Sequence, residues 1–328
     1  MSVRAPISGP EQLAAVLDAA DGDVRGLVAR TERRLADVAG VERHAGETLS
    51  AGGKRLRPIL VFLCAGTDRS EQLVRAAAAV ELLHMATLVH DDVLDRATLR
   101  RGRPTVYATG GPGAATATGD LLFSRAFAEL SLTGRRDAIA ALSAASSALA
   151  RGELIQREDA WSDGVTPARY LERCELKTAR LFEAACRLGA MLGAPGPDAA
   201  DLLGAFGSRV GIAFQIFDDV LDVSGPTART GKPRGTDLLD GTVTLPLILA
   251  RRRDPSLRRL DLRTCVTNAA EAEALCNRIQ ATGALADARD QALRFVSEAK
   301  DALRELDLPE RQRSALELVA DGVVERYA

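Results

Sequence analysis

Histidine is nearly absent: His44, His84 and His90 are the only three in 328 residues. That is too little material for a histidine-built metal cluster. Cysteine is sparse and odd in number (Cys64, Cys174, Cys186, Cys265 and Cys276). None of the five stands in a C-x-x-C pair, and four lie in apolar, helix-like segments. Reduced buried thiols are therefore expected rather than disulfides or zinc sites. No uninterrupted apolar run approaches the ~18 residues of a membrane-spanning helix. The first residues show no charged-then-apolar leader, so the expected location is the cytoplasm. Excess charge is missing too, with 43 Lys and Arg against 45 Asp and Glu for a net charge of −2. This excludes a disordered charged tail and gives no reason to expect nucleic-acid binding. Hairpin dipeptides between alternating runs, internal repeats and low-complexity linkers are also lacking.

What the chain does contain is helical periodicity, recurring from about Asp23 to Tyr327. It is clearest over 72–95, 170–192, 199–223 and 284–306. Gly and Pro clusters separate the periodic segments, as at Gly52-Gly53, Gly110 to Gly113 and Ala194 to Pro197. The pattern predicts one all-α domain over residues 23–328, with roughly ten to thirteen helices. Residues 1–22 read as a loose N-terminal segment.

The segment Ala76 to His90 is apolar on most faces, which marks a central, buried helix. It runs straight into Asp91-Asp92-Val93-Leu94-Asp95, and burying carboxylates is costly unless cations meet them. The same pentapeptide recurs at Asp218 to Asp222, after the apolar run Val210 to Phe217. Within each motif the first and last aspartates are four apart and share a helix face. If the two helix ends face each other, Asp91, Asp92, Asp95, Asp218, Asp219 and Asp222 converge. Six such charges require counter-ions, and hard oxygen ligands completed by water suit Mg²⁺, which bridges carboxylates to phosphates. A single Asp-Asp-x-x-Asp would read as a solvated face; two, each ending an apolar helix, favour metal. A di-iron site lacks its second Glu-x-x-His pair, and an EF-hand loop is missing.

Cationic residues accompany the acids. Gly53, Lys54 and Arg57 lie in Gly52-Gly53-Lys54-Arg55-Leu56-Arg57-Pro58, where a helix should begin. The spacing is not that of a P-loop. On this segment alone a solvated helix start and a phosphate site are equally compatible. Arg100 and Arg101 are tethered within ten residues of the first acidic motif, which favours diphosphate binding. His84 stands two turns before Asp91 on nearly the same face. Lys177-Thr178 and Lys232 are weaker candidates by themselves.

Taken in order, these motifs resemble the trans-polyprenyl diphosphate synthase family. They are Gly52 to Pro58, Glu81 to Asp95, Leu99 to Thr105, Gly152 to Gln156, Lys177-Thr178, Phe214 to Asp222, Gly231-Lys232-Pro233 and Thr244 to Leu247. The resemblance implies an all-α isoprenoid synthase-type helical bundle around a deep central cavity, and a homodimer. It implies about three Mg²⁺ ions per site, held by Asp91, Asp92, Asp95, Asp218, Asp219 and Asp222. Arg100, Lys177 and Lys232 would contact an allylic diphosphate (dimethylallyl, geranyl, farnesyl or geranylgeranyl). Gly53, Lys54, Arg57, His84 and Arg101 would bind isopentenyl diphosphate. Thr178 and Gln215 would lie near the developing cation. The implied reaction is ionisation of the allylic diphosphate, addition of the isopentenyl double bond and loss of a proton. That accounts for the lack of any Ser-His-Asp or Cys-His arrangement.

Two positions depart from the resemblance. Thr242 stands where many relatives place a lysine, with Arg234 or Arg229 as candidates to replace it, and Arg96 stands where an acidic residue is frequent. Thr87 and Ala86, four and five residues before Asp91, are small where bulky aromatics close the chain cavity of short-chain relatives. A product longer than C20 is expected, with Phe123 and Phe127 as an alternative floor. Competing readings are a class I terpene cyclase, which usually lacks this second acidic motif, and a non-catalytic subunit of a heteromeric synthase, which tends to lose both motifs.

Overall fold

The computed structural model describes residues 9–20, 23–40, 42–50, 52–100, 102–195, 197–225 and 234–325. Among them are seventeen α-helices. This exceeds the ten to thirteen read from periodicity because five short helices of four or eight residues, too short to show a clear period, also form. The helices that build the site are α4 (Leu56–Cys64), α5 (Glu71–Leu94), α6 (Val106–Ser131), α7 (Arg136–Glu158), α8 (Pro167–Cys174), α9 (Arg180–Leu192) and α10 (Pro197–Ser224). A π-helical turn, Glu175–Ala179, joins α8 to α9. The one sheet is a two-residue ribbon, Leu99–Arg100 against Arg103–Pro104, antiparallel with Arg100 opposite Arg103. It closes at Gly102, whose φ of 74° suits glycine.

Helix α5 is the axis. Ala76 to Val80, Leu82, Leu83 and Ala86 are fully buried, and the helix packs on α2 (Val24–Ala39), α4, α6 and α9. By length and composition α5 and α7 could each cross a membrane, but α5 is mostly enclosed by its neighbours, as a core helix of a globular bundle is. Helix α10 packs on α9 and on α16 (Ala284–Arg304). Four of the cysteines are buried and Cys265 is exposed, all as free thiols.

The N-terminal expectation is corrected in part. Residues 9–19 form α1, packed on the last helix, α17 (Glu310–Glu325), with Val16 and Ala20 buried. Val16 and Ala20 are four apart, and that spacing gives the segment an apolar face to bury.

Helix α4 begins at Arg55, which sits in the left-handed region at φ 48°. Its guanidinium is held by Glu32 (2.5 Å) and Glu81 (2.7 Å). Glu81 is 4% exposed, so this ion pair is largely out of water. It ties the glycine loop to the middle of α5. Glu81→Ala should cost about 3 kcal/mol in denaturant unfolding, because the buried guanidinium keeps only one carboxylate, the half-exposed Glu32, beside the Leu49 carbonyl. A loss below about 0.5 kcal/mol would show the pair to be no better than a surface one.

Candidate active site

The first acidic motif ends α5. Asp92 is buried and its Oδ1 accepts from Arg100 Nε at 2.9 Å, with Arg100 Nη2 at 2.8 Å. The ribbon that follows α5 turns Arg100 back onto this carboxylate. Asp95 Oδ1 accepts from Arg157 Nη2 at 2.6 Å. Asp91 Oδ2 stands 3.9 Å from Lys177 Nζ. Burial pushes the Asp91 carboxyl up to about 6, with Glu153 and Asp95 adding repulsion and Lys177 and Arg100 opposing it.

The second motif lies near the end of α10. Asp218 is exposed and Asp222 half-buried, with Asp222 Oδ2 accepting from the Asp237 backbone N–H at 3.3 Å. Asp219 differs from a simple ligand. It is 4% exposed, its Oδ2 accepts from the Tyr170 hydroxyl at 2.6 Å, and its Oδ1 accepts from Gln215 Nε2 at 2.8 Å. Adjacent aspartates on a helix point about 100° apart, so one of the pair must turn inward when the other faces out. Burial, with Asp237 nearby, pushes Asp219 up to about 8 against the pull of Tyr170, Gln215 and Arg173.

The π turn brings the two motifs together. Lys177 reaches Asp91, while its neighbour Thr178 donates through Oγ1 to Gln215 Oε1 at 2.7 Å and so joins Asp219. Consecutive residues thus touch the two acidic ends. Single π turns often sit at functional sites. Two glycines allow this one its place. A Cβ on Gly152 of α7 would meet Lys177 backbone and side-chain atoms at 2.5–2.8 Å, and one on Gly211 of α10 would meet Ala179 Cα at 2.6 Å.

The expected isopentenyl diphosphate set is more spread out. Gly53 and Lys54 are exposed on the loop before α4. The Arg57 guanidinium lies 4.5 Å over the Phe182 ring, and Phe182 is 5.6 Å from Phe214, beside Gln215. His84 is half-buried on α5, and its carbonyl accepts from Thr87 Oγ1 at 2.8 Å. Arg101, Lys232 and Arg229 lie outside the described residues. Arg234 does not replace the missing lysine: it is committed to Val223 O (2.8 Å) and Asn277 Oδ1 (3.0 Å). Ala86 is fully buried and Thr87 half-buried. Phe123 and Phe127 stack at 5.2 Å, but Phe123 is 37% exposed, so it does not sit as an enclosed floor. A separate cavity of about 520 Å³ opens between α7 and α9, and no acidic-motif residue lines it.

Several partners went unassigned in the sequence. Glu153 holds Lys177 in a short ion pair and Arg157 Nε at 2.7 Å. Its i, i+4 spacing to Arg157 was the available signal. Tyr170, Arg173 and Asp237 gave none. Tyr170 looks like one more core aromatic until its partner is known.

Among the described residues no three His, Cys, Asp or Glu groups cluster tightly enough to hold a cation alone. The donor set nonetheless fits Mg²⁺, which takes one or two carboxylates and completes its shell with water and phosphate oxygens. Asp91, raised by burial, is a carboxylate short of positive charge.

The profile of the polyprenyl synthetase family matches residues 39–282. The chain belongs to this family. It is 40% identical, over 80% of its length and 82% of the relative's, to heptaprenyl diphosphate synthase component 2 of Geobacillus stearothermophilus. It is 37% identical, over 82% and 83%, to an all-trans-nonaprenyl-diphosphate synthase of Rhodobacter capsulatus. A crystal structure of polyprenyl synthase from Caulobacter crescentus CB15, complexed with calcium and isoprenyl diphosphate, superposes with a TM-score of 0.88 at 35% identity. That match covers 99% of this chain and 100% of the other. This polyprenyl synthetase is therefore a prenyltransferase with the all-α fold of its relatives, from a family that uses a divalent metal.

Two consequences of the geometry can be measured. Gly152→Ala gains about 1 kcal/mol of helix propensity but forces the π turn away, which costs about 1–3 kcal/mol and displaces Lys177. Prenyl transfer should fall roughly a hundredfold while far-ultraviolet circular dichroism stays unchanged; near-normal turnover would mean the turn adjusts freely. Asp91 and Asp219 both have raised values in the fold, so the native protein binds their protons more tightly than the unfolded chain. Their stabilisation is complete below the usual aspartate value of 3.8 and is lost as pH rises, through about 6 for Asp91 and about 8 for Asp219. The melting temperature of the ligand-free protein should fall between pH 6 and 8, and Asp219→Asn should flatten that fall. An equally steep fall in the variant would assign it to other groups.

Proposed function

We propose that the protein catalyses head-to-tail (1′-4) condensation of isopentenyl diphosphate with an allylic diphosphate, dependent on Mg²⁺, yielding a trans-polyprenyl diphosphate longer than C20. The observation that carries this reading is the π turn, whose adjacent residues reach both acidic motifs, Lys177 beside Asp91 and Thr178 through Gln215 to Asp219. Asp91, Asp92, Asp95, Asp218 and Asp222 would hold the metal, with Asp219 behind them. When bound, Mg²⁺ would draw negative charge onto the departing diphosphate.

Arg100 and Lys177 add fixed positive charge beside that leaving group, so the allylic C–O bond ionises in a field already organised for it. Lys177 is held ready by Glu153. Lys54, Arg57 and His84 would hold isopentenyl diphosphate, with its double bond ~3–3.5 Å from the cation. The Thr178 and Gln215 dipoles would lie near the developing cation, and the surrounding apolar helices would keep water out. The proton lost at the end would go to the released diphosphate.

Product length is read from α5. Ala86 and Thr87 leave room where a bulky side chain would close it, and the heptaprenyl and nonaprenyl synthases among the relatives support a long product. We place the protein in the cytoplasm, and infer a homodimer from large apolar side chains left exposed on α6 (Phe123), just after it (Leu132) and on the ribbon before it (Leu99). A second reading has one specific support. The Geobacillus relative is named as a component, so this chain could require a partner subunit. Both acidic motifs are retained, which favours a catalytic role in either case.

Purified protein with isopentenyl diphosphate and a panel of allylic diphosphates should release products longer than C20 by mass spectrometry, and chelation should abolish turnover. Ala86→Phe should shorten the product. A clean C15 product from the wild type would overturn the length argument, and hydrocarbon released without isopentenyl diphosphate would indicate a cyclase. Turnover appearing only after a second protein is added would favour the heteromeric assembly.

A further inference from the structure

Tyr170 is a tyrosine with no exposed surface, in the short helix α8. A phenol at such a place needs a partner, and it has one of unusual kind, an aspartate of the second acidic motif at 2.6 Å. The other oxygen of Asp219 takes Gln215 Nε2, and the other end of that amide takes Thr178 Oγ1. With Asp219 ionised, each link has one polarity. The carboxylate accepts twice, the amide accepts once and donates once, and the threonine hydroxyl donates. The hydrogen-bonded line therefore runs without a break from α8 through α10 into the π turn and ends one residue from Lys177.

Behind it lies Arg173, 4% exposed, its Cζ 5.4 Å from the Tyr170 ring centre. Its Nη2 donates to Val243 O at 2.7 Å, while Nη1 has no hydrogen-bond partner among the described residues. This guanidinium backs the phenol and places a positive charge near Asp219 without bonding to it. Asp219 is thus fixed from its Oδ2 side by Tyr170 alone.

We propose that Tyr170 is a positioning residue for prenyl transfer: its hydroxyl turns Asp219 inward and so sets how Asp218, Asp222 and the Lys177 turn are presented to the diphosphate. The assignment rests on the function proposed above. Asp219 sits between two carboxylates that share the outward face of α10. Released from Tyr170, it is free to swing toward that face and compete with them, and Gln215 and Thr178 lose their anchor. The phenol touches none of the reacting atoms and acts wholly through Asp219.

Tyr170→Phe removes one oxygen and keeps the ring that fills the core. Losing an outer hydrogen bond of this type costs roughly tenfold or more in activity or metal affinity. The variant is expected to lose about tenfold in kcat, to need several-fold more Mg²⁺ for half-saturation, and to keep its KM for isopentenyl diphosphate. A second readout is independent of turnover. The rise in melting temperature on adding Mg²⁺ with inorganic diphosphate should be smaller in the variant than in the wild type. Asp219→Asn offers one acceptor to two donors, Tyr170 and Gln215, and so breaks the same line of hydrogen bonds; it should lose at least as much. The double variant should lose no more than Asp219→Asn alone, because both changes interrupt one line.

A lower melting temperature with kcat, Mg²⁺ requirement and diphosphate stabilisation all within twofold of wild type would overturn the proposal and leave the hydroxyl a packing feature. Losses that multiply in the double variant would overturn it as well. If Tyr170→Phe does not fold, Asp219→Asn and Thr178→Val, at the far end of the same line, carry the test by the same readouts. A wild-type protein without prenyl transfer would sink the proposed function itself, an outcome distinct from a normal Tyr170→Phe enzyme.

Discussion

Carboxylates gathered at two helix ends inside an apolar bundle are the constraint on which the structure turns. Ionised carboxylates in such surroundings are costly unless each meets a cation or a strong donor. Here the compensation is distributed. Arg100 meets Asp92, Arg157 meets Asp95, and Lys177 lies beside Asp91. Tyr170 and Gln215 satisfy Asp219. Glu153 then links Lys177 and Arg157, so that Asp91, Lys177, Glu153, Arg157 and Asp95 form a ring of alternating charge closed through α5. Such a ring holds its cations in place before any ligand arrives.

The backbone serves the same end. Lys177 and Thr178 reach different motifs because a π turn lies between α8 and α9. That turn can sit between α7 and α10 only because Gly152 and Gly211 carry no Cβ. The ribbon after α5 has one evident purpose, to bring Arg100 back over Asp92. Each of these devices breaks a local rule: a π turn inside a helical stretch, glycines within helices, a two-residue sheet in an all-α protein. Violations of local consistency concentrate where function is built, and here they all converge on the acidic pair. The chain invests in placement and field rather than in a nucleophile or a base, as expected when the reacting charge belongs to the substrate's own leaving group.

How much of this was legible follows from what a one-dimensional pattern can carry. The repeated Asp-Asp-Val-Leu-Asp, the apolar run before each copy and the arginines after the first are local features, and they located the site. Which of two neighbouring aspartates turns inward is not local. It depends on Tyr170, 49 residues away along the chain. Glu153 and Arg157 were visible as a helix pair, but their task needs Lys177, which a different helix brings to them. The π turn adds a single residue to a turn and barely disturbs the apolar spacing of its flanks. Arg234 illustrates the converse. Its charge and proximity in sequence suggested a substitute for the lysine missing at Thr242, yet Val223 and Asn277 hold it elsewhere.

On the proposed function, the depth of a product cavity would depend on more than the two small residues that flag it. Ala86 and Thr87 take up little volume, which argues for depth. The same smallness lets helices close on each other, which argues against it. The α5–α6 seam is tight one turn beyond Ala86: a Cβ on Gly119 would meet the His90 ring at 2.2 Å. Small residues on one side of a seam lengthen a hollow only if the facing helix is held off by something else. At the start of α6 the candidate is the break at Gly111, with φ 79° and ψ 176°, and the following Pro112, which bend the helix. On the proposed function, chain length would then be a property of the seam between two helices, set jointly by the side chains at 86 and 87 and by the bend at the start of α6.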